Sequence, residues 1–144
     1  PLEFKKTLNF SFSGIKTAVS LLVKNQPKIN EKIINDLAAS FQNKIIEILI
    51  KSATLAINIL DKKGYKINDV AIVGGVAVNR KINAAFKNLC KRFNRSAVFP
   101  TKELCGDNAA MIAWACLERY RKSIKPNLDF KADPRWSLSK IVVL

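Results

Sequence analysis

The chain has 144 residues, 49% of them hydrophobic and 25% charged, which is one ordinary globular domain's worth and excludes collagen-like, disordered and repeat classes. Lys and Arg exceed Asp and Glu by 25 to 11, a formal charge of +14 and a pI near 10.0, which points to a polyanionic partner. No histidine is present, so no Ser-His-Asp or Cys-His catalytic set and no imidazole-based metal site can form within this chain.

Further bounds follow from the same composition. Of the 25 basic residues 19 are Lys and 6 are Arg, beside much Ile and Asn, a bias that an AT-rich genome would also produce. No apolar run reaches the ~18–20 residues of a membrane span, and the start carries no secretory signal. A chain that begins at Pro1 and whose only methionine is Met111 reads as a piece of a longer polypeptide or a processed product. Cys90, Cys105 and Cys116 are odd in number and form no CxxC pair, so reduced thiols in a cytoplasmic protein are expected.

In chain order, Leu8 to Phe12 alternates apolar and polar residues, as a half-buried strand does, and Ser13-Gly14 turns the chain. Ile15 to Lys24 has helical spacing and stops at Asn25-Gln26-Pro27. A long helix is predicted from Asn30 to Lys62, its apolar residues three and four apart from Ile33 to Ile59. Asn30 suits its N-cap, Glu31 its first turn and Gly64 a left-handed C-terminal cap. Unbroken, it would be roughly 45–50 Å long; Ser52 marks the place where it could break.

Asp69 to Val73 reads as a short strand buried on both faces, Asn79 to Phe93 as an amphipathic helix, and Ala97 to Phe99 as a second strand ended by Pro100. Gly106-Asp107-Asn108 opens a last helix that runs to about Arg121. Strand–helix–strand–helix order implies a parallel pair with a right-handed crossover. The expected architecture is therefore α/β, a long helix packed on a small sheet, in a single domain over residues 1–144 with an irregular tail from 123 to 144.

Three glycine-bearing junctions carry the candidate chemistry. Gly74-Gly75-Val76-Ala77-Val78-Asn79 joins a strand to a helix, where unpaired N–H groups and a positive dipole end gather and where glycine lets backbone approach a phosphate or ribose. The same glycines fit an ordinary turn, and Asn79 suits either a ligand hydrogen bond or an N-cap. Asp107 in Cys105-Gly106-Asp107-Asn108 is a functional carboxylate or, again, an N-cap; a lone Asp can only complete a metal site built elsewhere. At Ser13-Gly14-Ile15-Lys16, Lys16 could face an anion or simply be solvated. Basic residues cluster at Arg80, Lys81, Lys87, Lys91, Arg92 and Arg95, and again at Arg119, Arg121, Lys122 and Lys125; each is a phosphate-binding face or a solvated one.

Together, FSFSGIKTAV, NDLAASFQNKI, AIVGGVAVNRKI, CGDNAAMIA and DPRW resemble the C-terminal part of the tRNA N6-adenosine threonylcarbamoyltransferase family, once labelled glycoprotease or O-sialoglycoprotein endopeptidase. The resemblance implies the C-terminal lobe of a two-lobed fold like that of actin, sugar kinases and heat-shock chaperone ATPases, with a ribonuclease-H-like core. It implies transfer of threonylcarbamoyl from threonylcarbamoyl-adenylate to the N6 amine of the adenosine beside the anticodon, in tRNAs reading codons that begin with A. It also implies iron or zinc held by two histidines of an HxxxH motif and by an Asp matching Asp107, a nucleotide-binding Asn matching Asn79 with Gly74 and Gly75 beside it, and partner subunits that assemble with the enzyme. Two departures stand out. HxxxH is missing, and Gly106 replaces the usual Thr. The chain is therefore expected to be inactive alone and to need the N-terminal lobe. The alternatives are a noncatalytic module that binds tRNA or partner subunits, and a kinase-like nucleotide-binding ATPase. The protease label fares worst, for lack of an HExxH helix.

Overall fold

The computed structural model describes residue 8 and residues 12–124. By internal contacts these divide into two units, residues 1–106 and residues 107–144. In the first unit, helix α1 (Ser13–Lys24) precedes α2 (Glu31–Lys62), strand β1 (Asp69–Ala71), helix α3 (Arg80–Arg92) and strand β2 (Ser96–Val98). The second unit contains α4 (Ala109–Arg121). The expected Leu8–Phe12 strand lies outside the described residues apart from its two ends, as does the tail beyond Ile124 with its DPRW.

α2 is a single unbroken helix of 32 residues, ~48 Å at ~1.5 Å per residue. Ser52 does not interrupt it; the residue is buried in the helix, and its hydroxyl has no hydrogen-bond partner among the described residues. Asn30 starts the helix as expected, its Oδ1 accepting from the Ile33 N–H at 2.9 Å. The other end closes in a Schellman motif. Gly64, at φ 77°, donates to Asp61 O at 3.0 Å, and Tyr65 N–H donates to Leu60 O at 3.1 Å. The same pair of bonds ends α3, with Asn94 at φ 53° in the glycine position, Asn94 N–H donating to Lys91 O at 3.2 Å and Arg95 N–H to Cys90 O at 2.9 Å. Asparagine tolerates that left-handed position better than other residues with a Cβ.

β1 and β2 pair in parallel with Asp69 opposite Ser96, Val70 opposite Ala97 and Ala71 opposite Val98. Ser96 N–H to Asn68 O (2.9 Å) and Ile72 N–H to Val98 O (3.0 Å) extend the ladder at both ends. The core lies between this sheet, α2 and α3: Ile57, Ile72, Ala77, Ile82, Phe86, Leu89 and Cys105, with Leu49, Ala53, Val70 and Phe99 packed around it. One expectation is overturned here. The Asp69–Val73 strand is not buried on both faces: Val70 and Ile72 turn inward, Asp69 and Ala71 are exposed, and Val73 is 70% exposed. A continuous apolar run reads as doubly covered, but α2 and α3 cover only one face of this ribbon.

α4 buries none of its residues and exposes Met111, Ile112, Trp114, Leu117 and Tyr120. Arg121 pairs with Glu118 at 3.0 Å and lies 6.0 Å from the centre of the Trp114 ring. It too closes on a left-handed residue, Ser123 at φ 56°. No helix among the described residues is long and apolar enough to cross a membrane.

Candidate functional site

The turn after β1 is built on Gly74, whose φ of 80° lies where only glycine is unstrained. A 3-10 turn, Gly75–Val78, follows before α3 begins, so the glycines do not themselves head the helix. Ala77 anchors that turn: it is buried in the core, and its N–H donates to Gly74 O at 2.9 Å. Around this anchor Gly74, Gly75, Val76 and Val78 are exposed. A Cβ added to Gly74 or Gly75 would meet no atom of the described residues within 4 Å, so among these residues the backbone presents an open platform. The exposure of Val76 and Val78 was not legible in the sequence, because a Val-rich run after a strand predicts burial, not display.

Asn79 caps α3. Its Oδ1 accepts from Lys81 N–H at 3.0 Å and from Ile82 N–H at 3.2 Å, satisfying two of the donors that a helix start leaves free. The capping role and a ligand role are compatible, because capping uses only the carbonyl oxygen. The Nδ2 amide has no partner among the described residues and remains a donor on the half-buried rim of the glycine platform. The backbone thus brings Gly74, Gly75 and Asn79 onto one continuous turn.

Asp107 belongs to the second unit. It does not cap α4; Asn108 does, accepting from Met111 N–H at 3.0 Å. The possibility that Asp107 is an N-cap is therefore corrected by one residue, and its exposed carboxylate takes no part in the capping bond. Asn and Asp both cap well, so composition alone does not choose between neighbours; the chain's entry into the helix does. Among the described residues no group of three or more His, Cys, Asp or Glu could hold a metal ion. The donors present thus do not make up a metal site, and Asp107 could offer at most one ligand.

Lys16 is exposed on α1. Just ahead of the second unit, Glu103 sits in a 3-10 turn where its own backbone N–H and the Thr101 side chain hold its carboxyl below the usual range. Cys105 and Cys90 are buried, and loss of hydration pushes the Cys90 thiol up, which suits a packing role; Cys116 is exposed on α4.

A family model described as tRNA N6-adenosine threonylcarbamoyltransferase (TsaD) matches residues 1–114. The chain belongs to this family. A tRNA N6-adenosine threonylcarbamoyltransferase of Rickettsia rickettsii (strain Sheila Smith) is 42% identical over 143 residues, covering 98% of this chain and 42% of the relative. One from Rickettsia bellii (strain OSU 85-389) is 43% identical over 134 residues, 92% of this chain and 39% of the relative. One from Pelagibacter ubique (strain HTCC1062) is 43% identical over 139 residues, 96% and 38%. The chain thus spans about two fifths of the length of these threonylcarbamoyltransferases.

Proposed function

We propose that this chain is the C-terminal lobe of an enzyme that transfers threonylcarbamoyl from threonylcarbamoyl-adenylate to the N6 amine of the adenosine beside the anticodon, in tRNAs reading A-starting codons. The family match over residues 1–114 carries the reading. In this reading the lobe has the actin-like fold with a ribonuclease-H-like core, works in the cytoplasm, and acts with an N-terminal lobe and partner subunits.

Each residue has a definite part. The Gly74-Gly75 platform receives the adenylate, since exposed backbone without a Cβ can come within hydrogen-bond reach of a phosphate or ribose. Asn79 donates from Nδ2 to a ribose hydroxyl while its oxygen keeps α3 capped, so helix start and ligand contact share one rigid side chain. Positioning of this kind raises the rate by holding the acyl carbon where the amine can attack. Asp107 would supply one carboxylate to an iron or zinc ion whose remaining ligands would come from outside this chain, and such an ion would supply positive charge beside the acyl donor. With one ligand and part of the nucleotide wall, the chain has no transfer activity alone.

The test is to add the N-terminal lobe in trans and measure threonylcarbamoyladenosine in unmodified tRNA. Transfer is expected only with both lobes, and Asp107→Ala is expected to abolish it while leaving tRNA binding unchanged. Transfer by the 144-residue chain alone, or wild-type transfer by Asp107→Ala, would overturn the reading.

A further inference from the structure

Between the second half of α3 and the start of β2 lies a concavity of about 430 Å³ lined by Asn68, Lys87, Lys91, Asn94, Arg95 and Ser96, with Ala97. We propose that it docks the phosphodiester backbone of RNA. It is distinct from the Gly74–Asn79 turn, no residue of which lines it. The assignment rests on the function proposed above only in taking RNA as the polyanion.

The charge of the α3–β2 segment is one-sided, and Asp61 is engaged by Arg95. From Val70 through Lys102 the sequence has seven Lys or Arg and no Asp or Glu. Lys87 and Lys91 are exposed one turn apart, ~6 Å along the helix axis, on the same face of α3. The Lys87 ammonium sits 5.9 Å from the centre of the Phe99 ring, which holds this cation in place.

The floor is fixed. The Arg95 side chain is only 11% exposed. Its guanidinium donates to Asp61 Oδ1 and to Ile67 O, which ties the start of β2 to the end of α2 and to the approach to β1. Its Nε is buried without a partner among the described residues. The Schellman turn at Asn94 sets the rim. Lysine heads, side-chain amides and a hydroxyl around a rigid floor are the donor set that positions phosphates. A protein-docking surface would instead carry aromatic or large aliphatic anchors, and among the described residues this lining has none larger than Ala97.

The experiment uses the 144-residue chain and an unmodified tRNA transcript, with affinity measured across a salt series. Lys87→Gln with Lys91→Gln is compared with Lys24→Gln with Lys28→Gln, an exposed pair of equal charge and spacing. The first pair is expected to weaken binding about tenfold and to lower the slope of log affinity against log salt by ~1.4–1.8, the share of two phosphate contacts. The control pair is expected to change binding less than twofold. All four lysines are exposed, and circular dichroism checks the fold; Ser96→Glu, which places a negative charge on the lining, is expected to weaken binding independently. Equal effects of the two pairs, or an unchanged salt slope, would overturn the assignment. So would polyglutamate displacing the tRNA as well as polyuridylate of equal charge does, which would give the surface to an acidic protein. Because binding is read without donor or transfer, this result stands or falls apart from the Asp107 test.

Discussion

Asn79 has two jobs in the proposed site, and two substitutions separate them. Asn79→Ala removes the acceptor that Lys81 N–H and Ile82 N–H share at 3.0 and 3.2 Å, and with it the Nδ2 donor. Loss of an N-cap costs about 1 kcal/mol, or about 4 °C in melting temperature for a unit of this size. Asn79→Asp keeps the capping oxygen and adds negative charge at a helix N-terminus, worth about 0.3–1 kcal/mol in favour, so its melting temperature should match or slightly exceed wild type. Only the donor is lost in that variant. One neutral hydrogen bond is worth about 0.5–1.5 kcal/mol, so adenylate affinity should fall about 2–13-fold, and further through repulsion between carboxylate and phosphate. Calorimetric melting of this chain reads the first quantity, and titration of the two-lobed enzyme with a non-transferable analogue of threonylcarbamoyl-adenylate reads the second. If Asn79→Asp binds the analogue as tightly as wild type, the amide is not a ligand contact; if Asn79→Ala melts with wild type, the cap contributes nothing.

The glycines divide in the same way. Gly75→Ala meets no described neighbour at ordinary φ and should leave the melting temperature unchanged while weakening analogue binding, whereas Gly74→Ala at φ 80° and ψ 177°, a region essentially reserved to glycine, should cost about 1–3 kcal/mol of stability from backbone strain alone; equal melting of the two would refute the platform geometry. Leu89→Ala empties a 1%-exposed position in the centre of the core and should cost about 2–5 kcal/mol in denaturant midpoint measurements. Glu47 lies between Lys44 (2.8 Å) and Lys51 (2.6 Å), whose ammonium groups bring its carboxyl down from 4.5 to about 2. The lowered value means that any stability from this trio is complete above the unfolded carboxylate's 4.5 and is lost as pH falls toward 2. The groups are open to water, so the contribution should be slight, and a carbon-detected titration should show the midpoint climbing back toward 4.5 in 1 M salt.

Local signals were legible to the residue where one side chain decides the geometry. Asn30 and Gly64 bound α2 as their chemistry requires, and apolar spacing located α3 with its buried Ile82, Phe86 and Leu89. What could not be read depends on neighbours distant in sequence. Asp69 to Val73 has the composition of a central strand, yet its exposure is set by how many helices cover the sheet. Asp107 and Asn108 are equally good caps on paper, and the chain path chooses the second. Asn94 in the glycine position of a Schellman turn was invisible because asparagine is common throughout the chain. The glycine platform was legible as a place, but its openness was not, since a missing Cβ says nothing about what stands above it.

Arg95 also acts as a clasp on strand register. A slide of one residue along the β1–β2 ladder would swing Val70 out to solvent, and the same slide would tear the guanidinium from both Asp61 and Ile67 while it stays sunk in the protein. Lysine, with a single point of charge, cannot grip two acceptors in that fork. Misalignment of the β1–β2 pair is therefore penalised twice over, and this pairing can hold one alignment without a long ladder of its own.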